Sequence, residues 1–176
     1  GAAARPLPFS WVRNADGSYD FSVSGAPASV AKAEIRIEDY LIGAAPIANG
    51  SGTLHYVFNV ARENRVIEVR GLSAGGATTA FGNGIIDSVA ATSAFLRQTG
   101  EHEYEIGLER APASWATIEI DVDGFLLTDI DTGAQRSPRR AVRWRFNGLG
   151  NRNIKIIARD AAGTVVDTRT RVLLVR

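Results

Sequence analysis

The chain repeats itself, and that fixes how many structural units it builds before any residue is given a task. Ala26-Pro27-Ala28-Ser29 returns 85 positions later as Ala111-Pro112-Ala113-Ser114. Upstream, Tyr19-Asp20-Phe21 answers Tyr104-Glu105-Ile106; downstream, Ile35, Ile37, Tyr40 and Leu41 answer Ile120, Val122, Phe125 and Leu126 at the same offset. With three residues added, Leu54, Tyr56 and Phe58 answer Val142, Trp144 and Phe146, and Ile67 and Val69 then answer Ile154 and Ile156. The 176 residues therefore read as two units, 1–87 and 95–176, joined by a short linker at 88–94. Units of this size bury one modest core each.

Within each unit, apolar and polar residues alternate with the period of half-buried strands. In Ala33-Glu34-Ile35-Arg36-Ile37-Glu38 the isoleucines share one face and the charges the other. Ile118, Ile120 and Val122 oppose Glu119, Asp121 and Asp123, and Val142, Trp144 and Phe146 oppose Arg143 and Arg145. Turn signals separate the runs: Asp16-Gly17, Asn49-Gly50, Gly75-Gly76, Asp123-Gly124, Thr132-Gly133 and Ala162-Gly163. No window carries a capped helical stripe. About seven short strands per unit, punctuated this way, predict an all-β fold of two tandem antiparallel β-sandwiches.

One stretch points to a family. Asn153-Ile154-Lys155-Ile156-Ile157-Ala158-Arg159-Asp160-Ala161-Ala162-Gly163-Thr164-Val165-Val166-Asp167-Thr168 resembles the last hairpin of bacterial immunoglobulin-like and fibronectin type III-like domains. Arg65–Gly76 is a looser version of the same pattern. The two cysteines of antibody-type domains are missing, although Trp144 and Trp115 are placed to act as core tryptophans. The resemblance implies an all-β fold of two tandem Ig-like (FN3-like) antiparallel β-sandwiches, and a context of spacers, adhesion units or carbohydrate-binding appendages of secreted bacterial proteins.

Composition narrows the classes. Hydrophobic content of 45% with 22% charge suits a folded domain. A net charge of +1 gives no bulk electrostatic case for a nucleic-acid partner. No apolar run approaches the ~20 residues of a membrane-spanning helix, so membrane insertion is not expected. The absence of cysteine removes thiolate chemistry, disulfides and Cys-ligated metals. The absence of methionine marks a processed or excised piece of a larger protein, expected to be secreted or at the cell surface.

Three groups of residues are candidates for a site. Asp121, Asp123, Asp129 and Asp131 gather four carboxylates around one hairpin, and hard oxygens in such loops are what calcium takes. Against that, the EF-hand spacing is absent and Asp-Gly is an ordinary turn. Arg136, Arg139, Arg140, Arg143 and Arg145, with Arg169 and Arg171, form a basic stripe suited to an acidic polymer. The competing expectation is that Arg143 and Arg145 lie beside Glu119, Asp121 and Asp123 and pair across strands. Trp11, Tyr40, Tyr56, Phe58, Phe125, Trp144 and Phe146 sit mostly on the inward phase and are expected in cores. Trp11 and Trp115 are the expected exceptions, which makes Trp115, Arg143 and Arg145 the candidate ligand-binding set, with polysaccharide as ligand. Two isolated histidines, His55 and His102, make neither a zinc site nor a triad. The expected role is a non-catalytic module serving other domains of the same parent protein. The alternatives are a carbohydrate-binding module and an accessory or pro-region of a secreted hydrolase. No cofactor other than calcium is expected.

Overall fold

The computed structural model describes residues 5–88, 91–131 and 139–176. The first half lays down β1 (Arg5–Pro6), β2 (Phe9–Arg13), β3 (Tyr19–Val23), β4 (Lys32–Ile37), β5 (Tyr40–Pro46), β6 (Gly52–Tyr56), β7 (Arg62–Leu72) and β8 (Thr78–Ser88). The second adds β9 (Ser93–Gly100), β10 (Glu103–Glu109), β11 (Trp115–Val122), β12 (Phe125–Asp131), β13 (Arg139–Arg145), β14 (Gly150–Asp160) and β15 (Val165–Val175). No helix is present among the described residues. Arg136 lies outside them, as do the side chains of Asp129, Asp131 and Arg139.

The repeated sequence builds repeated turns. In both copies the Ala-Pro-Ala-Ser segment closes a turn onto its proline carbonyl: Val30 N donates to Pro27 O at 2.9 Å and Trp115 N to Pro112 O at 3.1 Å. The two long hairpins also match. Gly76, at φ 90°, donates its N–H to Ser73 O, and Gly163, at φ 82°, donates to Asp160 O. At the second turn Asp160 Oδ1 also accepts from Ala162 N and Thr164 N, which explains the Asp-x-x-Gly spacing.

Each half forms a sandwich. In the first, β2-β3-β6 covers β5-β4-β7-β8; in the second, β9-β10-β13 faces β12-β11-β14-β15. Phe9, Trp11, Tyr19, Phe21, Ile35, Ile67 and Val69 fill the first core, and Tyr104, Ile106, Ile118, Ile120, Ile154 and Ile156 the second. Each such side chain contributes roughly 1.5–3 kcal/mol on leaving water.

The halves are not separated by a free linker. β8 pairs antiparallel with β9 through Gly84↔Arg97, Ile85↔Leu96 and Ile86↔Phe95, so the segment expected as a linker at 88–94 is shorter than that: Ser88 ends β8, and Ser93 and Ala94 begin β9. The pairing fuses two half-sandwiches into one sheet of order β13-β10-β9-β8-β7-β4-β5. Lower down, β1 takes over the same edge of β8, with Pro6 opposite Phe81. Successive residues of a strand face opposite ways. Ile86 and Phe95 therefore join the first core, while Ile85 and Leu96 join the second, on the other side of the same sheet. Gly82–Ser88 and Ser93–Gln98 are buried throughout, because both of their faces are covered. Gly84 sits where β-carbons have no room: a Cβ there would lie 2.0 Å from Leu96 O.

Several side chains depart from the expected phase. Trp11, expected to be exposed, is in the first core and meets Phe95 edge-on at 6.1 Å, so it helps join the halves. Tyr40 and Phe125, expected in cores, are 77% and 79% exposed. Each follows a two-residue turn with positive φ throughout (Glu38-Asp39, Asp123-Gly124), and a bulge in the hairpin shifts the register before the buried residues are reached. Trp144 is 41% exposed, on β13 at the edge of the large sheet as far as the described residues show it.

Candidate functional site

The structure separates Trp115 from Arg143 and Arg145. Trp115 opens β11, is half-buried, and packs against the second core; its carbonyl accepts from Arg140 Nη1 at 2.8 Å. Arg143 and Arg145 lie on β13, whose partner is β10 and not β11, which corrects the expected pairing with Glu119, Asp121 and Asp123. Both guanidiniums approach Glu103, at 3.7 and 3.5 Å, from exposed positions. Such solvent-facing pairs contribute ~0–1 kcal/mol. Glu119 is held instead by Arg159 at 2.9 Å.

The acidic residues spread along a ladder. Asp131 stands opposite Thr117 and Asp129 opposite Glu119, whereas Asp123 belongs to the turn at the far end. Six residues of extended strand separate Thr117 from Asp123, about 20 Å. Asp123 Oδ1 accepts from Asn153 N at 2.8 Å and its other oxygen approaches Arg152 Nε at 3.8 Å, so the side chain caps its own turn. Burial, and next the hydrogen bond and charge of Glu119, push the Asp121 carboxyl above its ordinary value. Among the described residues no three metal-ligating side chains converge.

Residues that do converge lie at the joint between the halves. Asp87, fully buried on β8, accepts from Arg171 Nη2 at 3.1 and 3.0 Å and from Arg169 Nη1 at 3.3 Å, both on β15. Backbone N–H groups of Asn64 (2.7 Å) and Ala94 (2.8 Å) complete its shell. Ser88, next in sequence, ties to Arg65 Nε at 2.8 Å. At the other end of β8, Asn83 accepts from the Tyr104 hydroxyl and donates to Leu174 O at 2.7 Å. Arg176 N donates back to the Tyr104 oxygen at 3.0 Å. Burial pushes the Tyr104 phenol up to about 12. Arg97 bridges the faces: it pairs with Glu105 at 3.0 Å and lies over the rings of Trp11 and Phe95, 5.6 Å from each. None of these roles was assigned from sequence. The signal was the unalternating run Gly84-Ile85-Ile86 and its partner Ala94-Phe95-Leu96, which marks strands covered on both sides.

Two open clefts are lined by described residues. One, of about 860 Å³, lies at the joint between Pro6, Phe81, Gln98, His102, Leu174 and Arg176, with the Arg176 guanidinium 4.3 Å above the Phe81 ring. The second, of about 310 Å³, opens in the first half between the edge strands β5 and β6, lined by Ile37, Glu38, Tyr40, Tyr56, Asn59 and Arg62 among others. His102 lines the first cleft and His55 lines neither. His55 meets Asp20 at 2.7 Å on the surface, and this bond, followed by one from Asn14, holds the Asp20 carboxyl below its ordinary value. No hydroxyl among the described residues bonds to either ring.

Three strands (β2-β3-β6) against four (β5-β4-β7-β8), repeated as β9-β10-β13 against β12-β11-β14-β15, define a tandem of fibronectin type III-like sandwiches. Two solved structures are similar over nearly the whole chain. The fibronectin(III)-like modules of Clostridium thermocellum CbhA share 15% identity, covering 96% of this chain and 94% of that one, at a TM-score of 0.36. The central fibronectin-III array of RIM-binding protein shares 9% identity, covering 100% and 99%, at a TM-score of 0.35. No protein-family model and no curated protein matches the chain.

Proposed function

We propose that this chain is a non-catalytic structural and interaction module of a larger secreted or cell-surface bacterial protein, and that its two sandwiches act as one rigid body. The observation that carries this reading is the joint. Three main-chain rungs between β8 and β9, the shared Trp11–Phe95 contact and the buried Asp87–Arg169–Arg171 cluster leave the second sandwich no hinge about which to swing. Relative motion between domains is the default unless their interface is extensive and apolar; here one continuous sheet runs through it. The non-catalytic reading is supported by how the carboxylates are engaged: those of Asp20, Asp87, Glu105, Glu119 and Asp123 are held by His55, by arginines or by a backbone amide, and none of these five lines either cleft.

The test uses the absence of cysteine. Single cysteines introduced at Thr53 in the first half and Thr164 in the second, both exposed, carry spin labels whose separation is read by pulsed electron resonance. One narrow distance is expected. A broad distribution, as two beads on a tether give, would sink the proposal.

A further inference from the structure

The cleft between β5 and β6 has the make-up of a sugar site, and we propose that it binds a pyranose ring of a neutral polysaccharide. This goes beyond the structural role and does not depend on it. The cleft opens where the two sheets of the first sandwich part, at the end of β8 that carries Ser88. Its floor is apolar: Ile37 and Phe58 are 4% and 8% exposed. One wall is a fixed ring. Tyr56 stands edge-on to Phe58 at 5.0 Å, and Phe58 is itself held by Tyr19 at 5.3 Å and by the Arg65 guanidinium at 5.0 Å. The other wall is Tyr40, thrust outward on its turn, 77% exposed. An aromatic ring presented beside a cleft offers a flat apolar face with a polar hydroxyl at its tip.

The rim supplies what a sugar's hydroxyls need. Arg62 brings only donors and Asn59 both donors and acceptors. Neither side chain has a hydrogen bond or ion pair among the described residues, whereas most arginines of this chain are engaged. Glu38 is bound only through Oε1, which accepts from Val66 N at 3.2 Å. A pyranose offers a C–H face to stack on tyrosine and vicinal hydroxyls that match a mixed rim. A volume of about 310 Å³ is the small end of ligand sites, enough for one or two rings.

The arrangement recurs. In the second half Phe125 (79% exposed) and Trp144 (41% exposed) stand on β12 and β13, the counterparts of β5 and β6, with Asn147 at the position of Asn59. Tyr40 and Phe125 each stand exposed directly after the same positive-φ turn, so the outward aromatic at this place is a feature of both copies.

Cellohexaose, xylohexaose, laminarihexaose and chitohexaose, titrated against the full chain by calorimetry and by amide chemical shifts, test the site. Saturable binding to at least one is expected, with shifts at Tyr40, Tyr56 and Asn59. Tyr40→Ala and Asn59→Ala should each weaken it roughly tenfold or more, about 1.4 kcal/mol, at unchanged melting temperature. The affinity should not depend on salt, which separates sugar stacking from an acidic polymer held by Arg62 and Arg65. No saturable binding to any of the four, or equal binding by wild type and Tyr40→Ala, overturns the proposal. Binding that high salt abolishes overturns it too.

Discussion

Asp87 is the residue on which the two halves agree. Its carboxylate is wholly withdrawn from water and answers two guanidiniums and two backbone amides. A buried pair of this kind adds little over a well-packed apolar substitute, but removing one member strands the others. Asp87→Ala leaves Arg169 with only the carboxylate of Asp167, at 2.9 Å, and the buried Arg171 with only that of the exposed Glu63, at 3.7 Å, and should destabilise the chain by about 3–5 kcal/mol in urea unfolding. Asp121 works in the opposite sense. Its folded carboxyl lies above the ordinary 3.8 because burial and then Glu119 disfavour its charge. Between those two values the folded state holds more protons than the unfolded chain, so stability falls as pH climbs through that window, and the deficit persists above it. Asp121→Asn should therefore raise the melting temperature at neutral pH, and the gain should disappear once the pH is below 3.8. A gain of equal size at every pH would show that charge is not its source.

At the scale of strands, alternation told nearly everything about which residues pair into ladders and little about what lies across from them. Ile35, Ile37, Ile118 and Ile120 face inward as their spacing demands. Tyr40 and Phe125 obey the same spacing and face out, because a bulge intervenes after each turn and spacing alone does not register a bulge. Arg143 and Arg145 were legible as one face of one strand. Their neighbour was not, since the sequence does not say which sheet a strand joins. Trp115, an expected exception to burial, is half-buried against the second core, and its carbonyl is held by Arg140 from a distant strand, which spacing does not show. The β8–β9 ladder offers the sharpest test at this scale. Gly84 lies against the backbone of Leu96 and Arg97, so Gly84→Val must push the strands apart. A loss of roughly 1–3 kcal/mol is expected from overpacking, with faster protease cleavage between residues 88 and 94. A variant as stable and as resistant as the parent would mean that the ladder contributes little.

Taken whole, the molecule should unfold in one step. Ile85 of β8 is buried in the second core and Phe95 of β9 in the first, so neither sandwich keeps its core whole if the other melts. Scanning calorimetry should give a single transition whose calorimetric and van't Hoff enthalpies agree; two resolved peaks would show independent halves. The hairpin at the joint also turns the second sandwich upside down relative to the first. β8 climbs away from Phe81, β9 comes back, and β15 ends beside Phe81 again, where Pro6 and Arg176 share the walls of one cleft. A polypeptide joined at both places would thus enter and leave at a single point, with the Tyr40 cleft held out at the opposite end. Tension along such a polypeptide would peel β1 and the tail of β15 away one rung at a time, sparing the Asp87 cluster. The body would ride as a pendant beside the line of pull, adding little to its length, while the few contacts that β1 and the tail of β15 make with β8 carry the load.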